Sequence, residues 1–228
     1  MKTILITGSA QGLGKELALK FSNSEFNIII NDKNKDRLED VREKILFPGW
    51  ANCDAVCGDL RERETIDNLG VLAKERDVDI LINNAGILSS GSFKDINFDK
   101  INDMIKVNLI APIELTKAVY PIFLKKKSGL IININSIAGK APNSEEAVYC
   151  ASKYGLRGFF DSFRFEAARH NVRVISVYLG AMNTTMAKGK PDREMFICPL
   201  EVADFIFNLC KDYETLRIPE IDIWRKNH

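Results

Sequence analysis

The sequence predicts an α/β protein with a doubly wound parallel sheet of about seven strands and helices on both faces. Short, continuous β-branched runs alternate with stretches of helix length, which is typical of a parallel sheet that is covered on both sides. A glycine-rich turn follows the first run, at the position where nucleotide-binding sheets of this kind hold phosphates. No repeat, low-complexity segment or linker interrupts the alternation, so we expect a single domain over residues 1–228.

The individual elements follow from this alternation. The predicted strands are Thr3–Thr7, Asn27–Asn31, Asp54–Cys57, Ile80–Asn83, Leu130–Asn135, Arg173–Tyr178 and Glu220–Trp224. The predicted helices are Gly12–Ser22, Lys35–Leu46, Arg61–Lys74, Asp99–Lys126, Val148–His170 and Leu200–Asp212.

Composition narrows the possible functions. Hydrophobic residues make up 46% of the chain and charged residues 28%, enough for a core and a solvated surface. A net charge of +1 and a pI near 7.6 give no field that attracts nucleic acid or an anionic membrane. No apolar run approaches the length of a bilayer span, and Met1–Thr7 indicates a strand rather than a signal peptide. We therefore expect a cytoplasmic protein with neither a nucleic acid nor a membrane as partner.

The cysteines indicate neither a metal site nor a disulfide framework. Their number is odd, and they are scattered as Cys53, Cys57, Cys150, Cys198 and Cys210. The pair Cys53 and Cys57 lacks a second ligand pair at zinc-binding spacing, so we expect no metal. Free thiols in a reducing cytosol are the simplest interpretation.

The first strand leads into the turn Thr7-Gly8-Ser9-Ala10-Gln11-Gly12-Leu13-Gly14 and then into an amphipathic helix. Glycines let a backbone approach a pyrophosphate closely, and a helix N-terminus presents oriented N–H groups to it. The spacing Gly-x3-Gly-x-Gly differs from the Gly-x-Gly-x2-Gly of the dinucleotide fingerprint. The turn by itself leaves methyltransferases, other nucleotide binders and a turn without a ligand as alternatives.

An acidic residue ends the second strand. Asp32 lies eighteen residues past Gly14, where a carboxylate accepts both ribose hydroxyls of an adenosine and repels a 2′-phosphate. This favours NAD over NADP, although Lys33 would weaken the repulsion and leaves NADP possible. The alternative is that Asp32 caps the following helix.

The next strand ends carry further candidates at the carboxyl edge of the sheet. Asp59, followed by Leu60, is placed to accept from an adenine amine or to cap a helix. The small residues of Asn83-Asn84-Ala85-Gly86 let the backbone pass close to a cofactor. Asn108, a polar residue among apolar ones in a helix, either binds water at a kink or faces solvent.

A serine and a Tyr-x3-Lys pair lie in the second half of the chain. Tyr149 and Lys153 are four residues apart, which places them on one face of a helix. Lowering a phenol pKa from about 10 by about 3 units requires roughly 4 kcal/mol, which a cation about 4 Å away supplies. Ser136, at the end of a strand, would hydrogen-bond the substrate oxygen that exchanges the proton. The alternative is that Tyr149 and Lys153 are an ordinary surface pair at this spacing and that Ser136 lies in a loop.

Taken in order, these motifs strongly resemble the short-chain dehydrogenase/reductase family over residues 1 to about 185, including the gap of thirteen between Ser136 and Tyr149. The resemblance implies a Rossmann-type fold with strand order 3-2-1-4-5-6-7 and an NAD(P)-dependent oxidoreductase that interconverts a secondary alcohol and a ketone. It implies a catalytic tetrad of Asn108, Ser136, Tyr149 and Lys153. In this tetrad Tyr149 is the acid/base, Lys153 lowers its pKa and holds the nicotinamide ribose, and Asn108 positions a relay water. The cofactor-binding positions implied are Gly8, Ser9, Gln11, Gly12, Leu13, Gly14, Asp32, Lys33, Asp59, Leu60, Asn84, Ala85, Gly86, Gly180 and Thr184, together with Tyr149 and Lys153.

The chain departs from the family pattern in two places. Leu179-Gly180 replaces the usual Pro-Gly after the sixth strand, which predicts a less rigid loop. The substrate lid, about residues 182–198, is short, so an open site or a bulky or carrier-borne substrate is expected.

The resemblance also implies a homodimer or homotetramer paired through the helices near Asp99–Lys126 and Val148–His170. One alternative function is a catalytically silent NAD(P)-binding regulator or scaffold. Another is dehydration or epimerisation of a sugar nucleotide, for which the chain looks too short.

Overall fold

Seven parallel strands form one sheet in the computed structural model, which describes residues 1–24, 26–47, 51–185, 195–210 and 216–226. The strands are β1 (Lys2–Thr7), β2 (Phe26–Asp32), β3 (Cys53–Cys57), β4 (Ile80–Asn83), β5 (Gly129–Ser136), β6 (Val172–Leu179) and β7 (Glu220–Ile223). Their order, β3-β2-β1-β4-β5-β6-β7, confirms the predicted topology and fold class. The order reverses between β1 and β4, and a crevice for ligands opens beyond the carboxyl ends of strands at such a point.

Helices cover both faces of this sheet. They are α1 (Gly12–Ser22), α2 (Lys35–Leu46), α3 (Arg63–Glu75), α4 (Phe98–Ile105), α5 (Ala111–Lys126), α6 (Ala147–Ala168) and α7 (Pro199–Leu209). The first two agree with their predicted bounds at both ends. The last was predicted to reach Asp212, which lies outside the described residues, and it ends at Leu209.

One predicted helix is interrupted. The window predicted as a single helix, Asp99–Lys126, contains the π-helical segment Lys106–Ile110 between α4 and α5. Pro112 contributes to this irregularity because it has no N–H to bond the carbonyl of Asn108, four residues earlier. A π-helical turn of this kind often marks a functional position.

The core consists of two apolar layers, one on each face of the sheet. Alternate residues of β1 point to opposite layers, as the two-residue period of a strand requires. Ile4 and Ile6 pack in one layer with Leu17 of α1 and Ile206 of α7. Leu5 packs in the other layer, which α3, α5 and α6 cover. The sheet is therefore held between helices, and its carboxyl edge is left for a site.

The continuous helical stretch Phe98–Lys126 is long and apolar enough to cross a membrane by length and composition. The expectation that no run approaches that length was therefore wrong, because only Glu114 and Lys117 are charged between Val107 and Leu124. A core helix passes the same test. Leu115, among other residues of α5, is buried in the layer that covers the sheet, so packing accounts for the apolar composition.

Candidate active site

A cleft of about 760 Å³ opens at the carboxyl ends of the strands. It extends from the loop after β2, past the glycine-rich turn, to the ends of β5 and β6. Most of the residues predicted for a site lie in its wall. These are Gly8, Gln11, Gly12, Leu13, Asp32, Lys33, Asp59, Leu60, Asn84, Ala85, Gly86, Ser136, Tyr149, Lys153, Gly180 and Thr184. Positions spread over 177 residues of sequence thus line one cavity.

The glycine-rich turn is held against the end of β4. Gly8 and Gly12 have φ angles of 67° and 55°, in the left-handed region that favours glycine. The side-chain amide of Asn84 donates to the carbonyls of Thr7 (2.8 Å) and Gly8 (3.1 Å). The hydroxyl oxygen of Thr7 in turn accepts from the backbone N–H groups of Asn84 and Ala85, both at 3.1 Å. These bonds fix the glycine-rich turn to the residues that follow β4.

Two residues predicted to bind cofactor lie behind the cleft wall. Ser9 is fully buried, and its hydroxyl donates to the carbonyl of Ile6 at 2.7 Å. Gly14 packs so closely that a Cβ atom there would lie 2.1 Å from the carbonyl oxygen of Gly8. Both shape the turn from within, and a glycine at the third position of such turns typically serves close packing of helix on strand.

Asp32 lies in the cleft wall at the end of β2. Its carboxylate accepts from the backbone N–H of Ala10 (3.3 Å) and from that of Asn34 (3.0 Å). Asn34, not Asp32, is the N-cap of α2, and its side chain accepts from the N–H of Arg37. The helix-capping alternative for Asp32 is therefore not what the structure shows.

Cationic side chains also surround this end of the cleft. Lys33 lies in the wall, and the guanidinium of Arg37 donates to the side-chain oxygen of Gln11 at 2.7 Å.

Asp59 likewise lies in the wall, in the loop between β3 and α3. The N-cap of α3 is Glu62, so Asp59 is not a helix cap. Its carboxylate instead accepts three hydrogen bonds from Arg61, one from the backbone and two from the guanidinium. These bonds, together with the positive charge, hold the pKa of Asp59 below its usual value.

Asn108 lies in the π-helical segment, 1% exposed, so it does not face solvent. Its side chain accepts from the N–H of Ile87 and donates to the carbonyl of the same residue, both at 2.8 Å. It also donates to the hydroxyl of Ser152 at 3.1 Å. The side chain of Asn108 is therefore behind the wall and fixes the main chain just after Gly86. A Cβ atom on Gly86 would lie 3.4 Å from the Asn108 side-chain oxygen and 3.9 Å from Lys153 Nζ.

Ser136, Tyr149 and Lys153 meet where β5 ends beside the first turns of α6. The Ser136 hydroxyl lies close to that of Tyr149, and Lys153 Nζ lies 5.8 Å from the centre of the Tyr149 ring. The Lys153 ammonium donates to the carbonyl of Ile134 at 3.1 Å. The three groups predicted from sequence to handle a proton are thus adjacent in one buried corner of the cleft.

Burial controls the charge of this group. It raises the pKa of Tyr149 to about 12, and the nearby Ser136 hydroxyl acts in the opposite direction. It lowers the pKa of Lys153 to about 8. The expectation that Lys153 lowers the Tyr149 pKa is not met in this state of the protein, because loss of solvation outweighs every favourable interaction of the phenolate.

Few residues at the substrate end of the cleft could be recognised from sequence patterns. Its wall includes Leu88, Glu146, Phe196 and Trp224, none of which belongs to a recognisable motif. Only Glu146 had a local signal, since it lies three residues before Tyr149 and therefore on the same side of α6. It is 7% exposed and raises the Tyr149 pKa further.

The loop after β6 is restrained despite the absence of proline. The N–H of Gly180 donates to Ile223 of β7 at 2.9 Å. The backbone of Ile197 bonds to Ala181 and to Asn183 on either side of a short parallel bridge with Met182. This pairing replaces the rigidity expected of Pro-Gly. Residues 186–194, most of the predicted lid, lie outside the described residues.

The cleft combines a glycine-rich turn suited to phosphates with a Tyr/Lys pair, at the carboxyl edge of a parallel sheet. This combination is typical of the active site of a dinucleotide-dependent oxidoreductase. A family model described as short chain dehydrogenase matches residues 2–195. The chain belongs to this family of oxidoreductases.

Individual relatives agree with this assignment. The chain is 31% identical to the 3-oxoacyl-acyl-carrier-protein reductase of Thermotoga maritima, over 97% of this chain and 96% of that protein. A metagenomic short-chain oxidoreductase solved in complex with NADP superposes with a TM-score of 0.86 at 28% identity, covering 97% and 96% of the two chains. An alcohol dehydrogenase from Thermococcus sibiricus, complexed with 5-hydroxy-NADP, gives a TM-score of 0.92 at 22% identity, covering 100% and 98%. This last likeness concerns the fold.

Proposed function

We propose that the protein is an NAD(P)-dependent oxidoreductase that interconverts a secondary alcohol and a ketone. The observation that carries the proposal is the position of Ser136, Tyr149 and Lys153 in the wall of the same cleft as the glycine-rich turn. The Thermotoga relative is named as a reductase of a 3-oxoacyl group, which supports a carbonyl substrate.

The residues present fit a nicotinamide dinucleotide. Gly8 and Gly12 give the turn its left-handed backbone, so that no side chain fills the space beside the N-terminus of α1. Asp32 and Asp59 would hold the adenosine, and Asn84, Ala85 and Gly86 the nicotinamide side. A bound cofactor supplies or takes up the hydride, and the protein contributes orientation and proton transfer. The NADP complex of the metagenomic relative supports a cofactor of this kind.

The chain's own groups handle the proton. With a pKa raised to about 12, Tyr149 carries its proton at neutral pH and is ready to donate it to a carbonyl oxygen. Ser136 holds that oxygen through a hydrogen bond, and Lys153 holds the nicotinamide ribose. The carbonyl of Asn108, which receives no bond from Pro112, would hold a water that links Lys153 to solvent.

Replacement of Tyr149 by phenylalanine tests the catalytic proposal. Tyr149→Phe should keep cofactor binding and lose turnover by orders of magnitude, because the proton donor is removed while the shape of the wall is kept. The measurement is turnover on a panel of ketones and secondary alcohols, with cofactor binding followed by calorimetry. Unchanged turnover in Tyr149→Phe would refute the mechanism. Tight cofactor binding by the wild type without any turnover would favour the catalytically silent regulator.

The preferred cofactor is decided by opposing charges at one end of the cleft. Asp32 favours NAD, because its carboxylate repels a 2′-phosphate. Lys33 and the nearby Arg37 favour NADP, which the metagenomic relative binds. Thermal stabilisation by NADH and NADPH at matched concentrations measures the balance, since a ligand of the folded state raises the Tm. We expect a larger shift with NADH, and a larger shift with NADPH would mean that the cations dominate.

We also propose a homo-oligomer that pairs through α5 and α6. Tyr154 and Phe165 are exposed on one side of α6, and Ile110 is exposed where the π-helical segment joins α5. Apolar side chains gathered on neighbouring helices are typical of an interface between copies.

A further inference from the structure

The adenosine end of the cleft contains an arginine that the motifs do not include. Arg61 follows Asp59 by two residues, in the loop between β3 and α3, and lies behind the cleft wall rather than in it. Its Nε donates to Asp59 Oδ1 at 3.1 Å, its Nη2 to Asp59 Oδ2 at 2.7 Å, and its backbone N–H to Oδ1 at 3.0 Å. The parallel donation of Nε and Nη2 to both oxygens is the geometry that arginine provides and lysine does not.

The third guanidinium nitrogen ties this pair to another element. Arg61 Nη1 donates to Asp103 Oδ2 at 2.6 Å, and Asp103 belongs to α4. The side chains of all three residues are between a fifth and about a third exposed, so the network is sheltered but not dry. Since α4 runs directly into the π-helical segment, this clamp of Asp59, Arg61 and Asp103 joins the loop after β3 to the helix that leads into that segment.

The clamp limits what Asp59 can still accept. A carboxylate has about four lone-pair positions. Three of them are used by Arg61: two on Oδ1 and one on Oδ2. One acceptor position on Oδ2 is left. The adjacent guanidinium also keeps the carboxylate ionised, so that it only accepts hydrogen bonds.

We propose that Arg61, anchored by Asp103, is a positioning residue that fixes Asp59 to accept the exocyclic amino group of adenine and to reject a base with a carbonyl there. The proposal rests on the proposed function, because it requires a nicotinamide adenine dinucleotide in the cleft. It adds selectivity for the base, which none of the family motifs assigns to Arg61. Hypoxanthine is the informative comparison, since it differs from adenine at this position by an oxygen that would face the Asp59 carboxylate.

The experiment is calorimetric binding of NADH and NADPH, each against its deamino counterpart, in which hypoxanthine replaces adenine. The wild type should bind the amino form about tenfold more tightly or better, the order expected of one hydrogen bond to a charged group. In Arg61→Gln this ratio should fall towards one, because Asp59 is no longer held. Arg61→Lys keeps the charge without the paired donors and should also lose most of the ratio.

Two further variants make the result specific. Arg63→Gln removes the same charge two residues away, from an exposed side chain paired with Asp67, and should keep the wild-type ratio. Asp103→Asn leaves Arg61 on Asp59 but weakens its anchor, and should lose part of the ratio even if Arg61→Gln does not fold. A binding ratio in folded Arg61→Gln equal to that of Arg63→Gln would overturn the proposal, as would a wild type that does not distinguish the two bases.

Failure of this proposal can be separated from failure of the proposed function. Binding with the expected ratio but without turnover on any alcohol or ketone would refute the oxidoreductase and leave the role of Arg61 intact. Turnover with equal binding of the amino and deamino cofactors would refute the role of Arg61 and leave the oxidoreductase intact. Binding of neither dinucleotide to the wild type would refute both.

Discussion

The buried ammonium of Lys153 should destabilise the fold in a way that depends on pH. Only 5% of the residue is exposed, and burial lowers its pKa from 10.5 to about 8. The folded protein therefore binds this proton more weakly than the unfolded chain does. A difference of this kind between two states makes the free energy of unfolding depend on pH.

The sign and the size follow from the two pKa values. Above pH 10.5 the Lys153 amine is neutral in both the folded and the unfolded state, so it does not affect stability. As the pH falls from 10.5 to about 8, only the unfolded chain takes up the proton, and the free energy of unfolding decreases. Below about 8 the loss stays constant, on the order of 3 kcal/mol at about 1.4 kcal/mol per pH unit. Between pH 10 and pH 7 the change amounts to about 2–3 kcal/mol.

Lys153→Met measures this contribution by urea denaturation at pH 7 and pH 10. Methionine keeps much of the length and apolar contact but loses the hydrogen bond to Ile134, at a cost of about 1–3 kcal/mol at both pH values. The free energy of unfolding of the variant minus that of the wild type should therefore be about 2–3 kcal/mol higher at pH 7 than at pH 10. Subtracting the wild-type free energy of unfolding at each pH cancels the contributions of the titrating groups that both proteins share. Lys100→Met, at an exposed position of α4, should show the same difference from wild type at both pH values.

A stability difference between Lys153→Met and the wild type that does not change with pH would refute the reasoning. It would mean that the ammonium is solvated in the folded protein despite its position. The variant should also be inactive, so that a gain in relative stability accompanies the loss of function. Such a combination is expected where a site keeps an unfavourable group for chemistry.

Two other predictions concern the turn and the proton donor. Gly14→Ala places a Cβ atom 2.1 Å from the Gly8 carbonyl oxygen; overpacking against backbone should cost about 3 kcal/mol and lower the Tm by about 6–12 °C in scanning calorimetry. Glu16→Ala in the same helix should change stability by less than about 0.5 kcal/mol, and an equal Tm for both variants would contradict the packing argument. Because the Tyr149 pKa is raised to about 12, alcohol oxidation should accelerate as the pH rises from about 6 to 9, while ketone reduction should not. Oxidation independent of pH, with hydride transfer rate-limiting, would count against Tyr149 as the base.

Much of the fold and of the site could be predicted because each depends on local pattern. The strands are recognisable as continuous apolar runs, and the carboxyl ends of parallel strands meet at one edge whatever the loops contain. Asp32, Asp59 and Asn84 could be assigned to one cleft for this reason. Position in the chain does not say on which side of a wall a residue lies, so Ser9 and Gly14 were grouped with residues that face the cavity.

Other features depend on contacts that a single sequence does not encode. The hydrogen bond between Arg61 and Asp103 joins residues forty-two positions apart, on two elements that both had to be placed first. The π-helical segment around Asn108 looked like ordinary helix, since apolar periodicity continues through it. The pKa of a group depends on how completely its neighbours exclude water, and this too is a property of the packed structure.

The Tyr149–Lys153 pair illustrates the last point. The spacing of four correctly indicated proximity, and a Coulomb estimate at about 4 Å in a medium of dielectric constant about 20 then suggested a lowered phenol pKa. The same helix geometry that brings the two groups together also buries both, and burial disfavours charge on each of them. The Lys153 ammonium donates to the carbonyl of Ile134 and lies 5.8 Å from the centre of the Tyr149 ring. At this position its charge does not offset the effect of burial on the Tyr149 pKa. At neutral pH the pair is therefore a neutral acid beside an ammonium whose proton is weakly held, the protonation state from which the proposed carbonyl reduction would start.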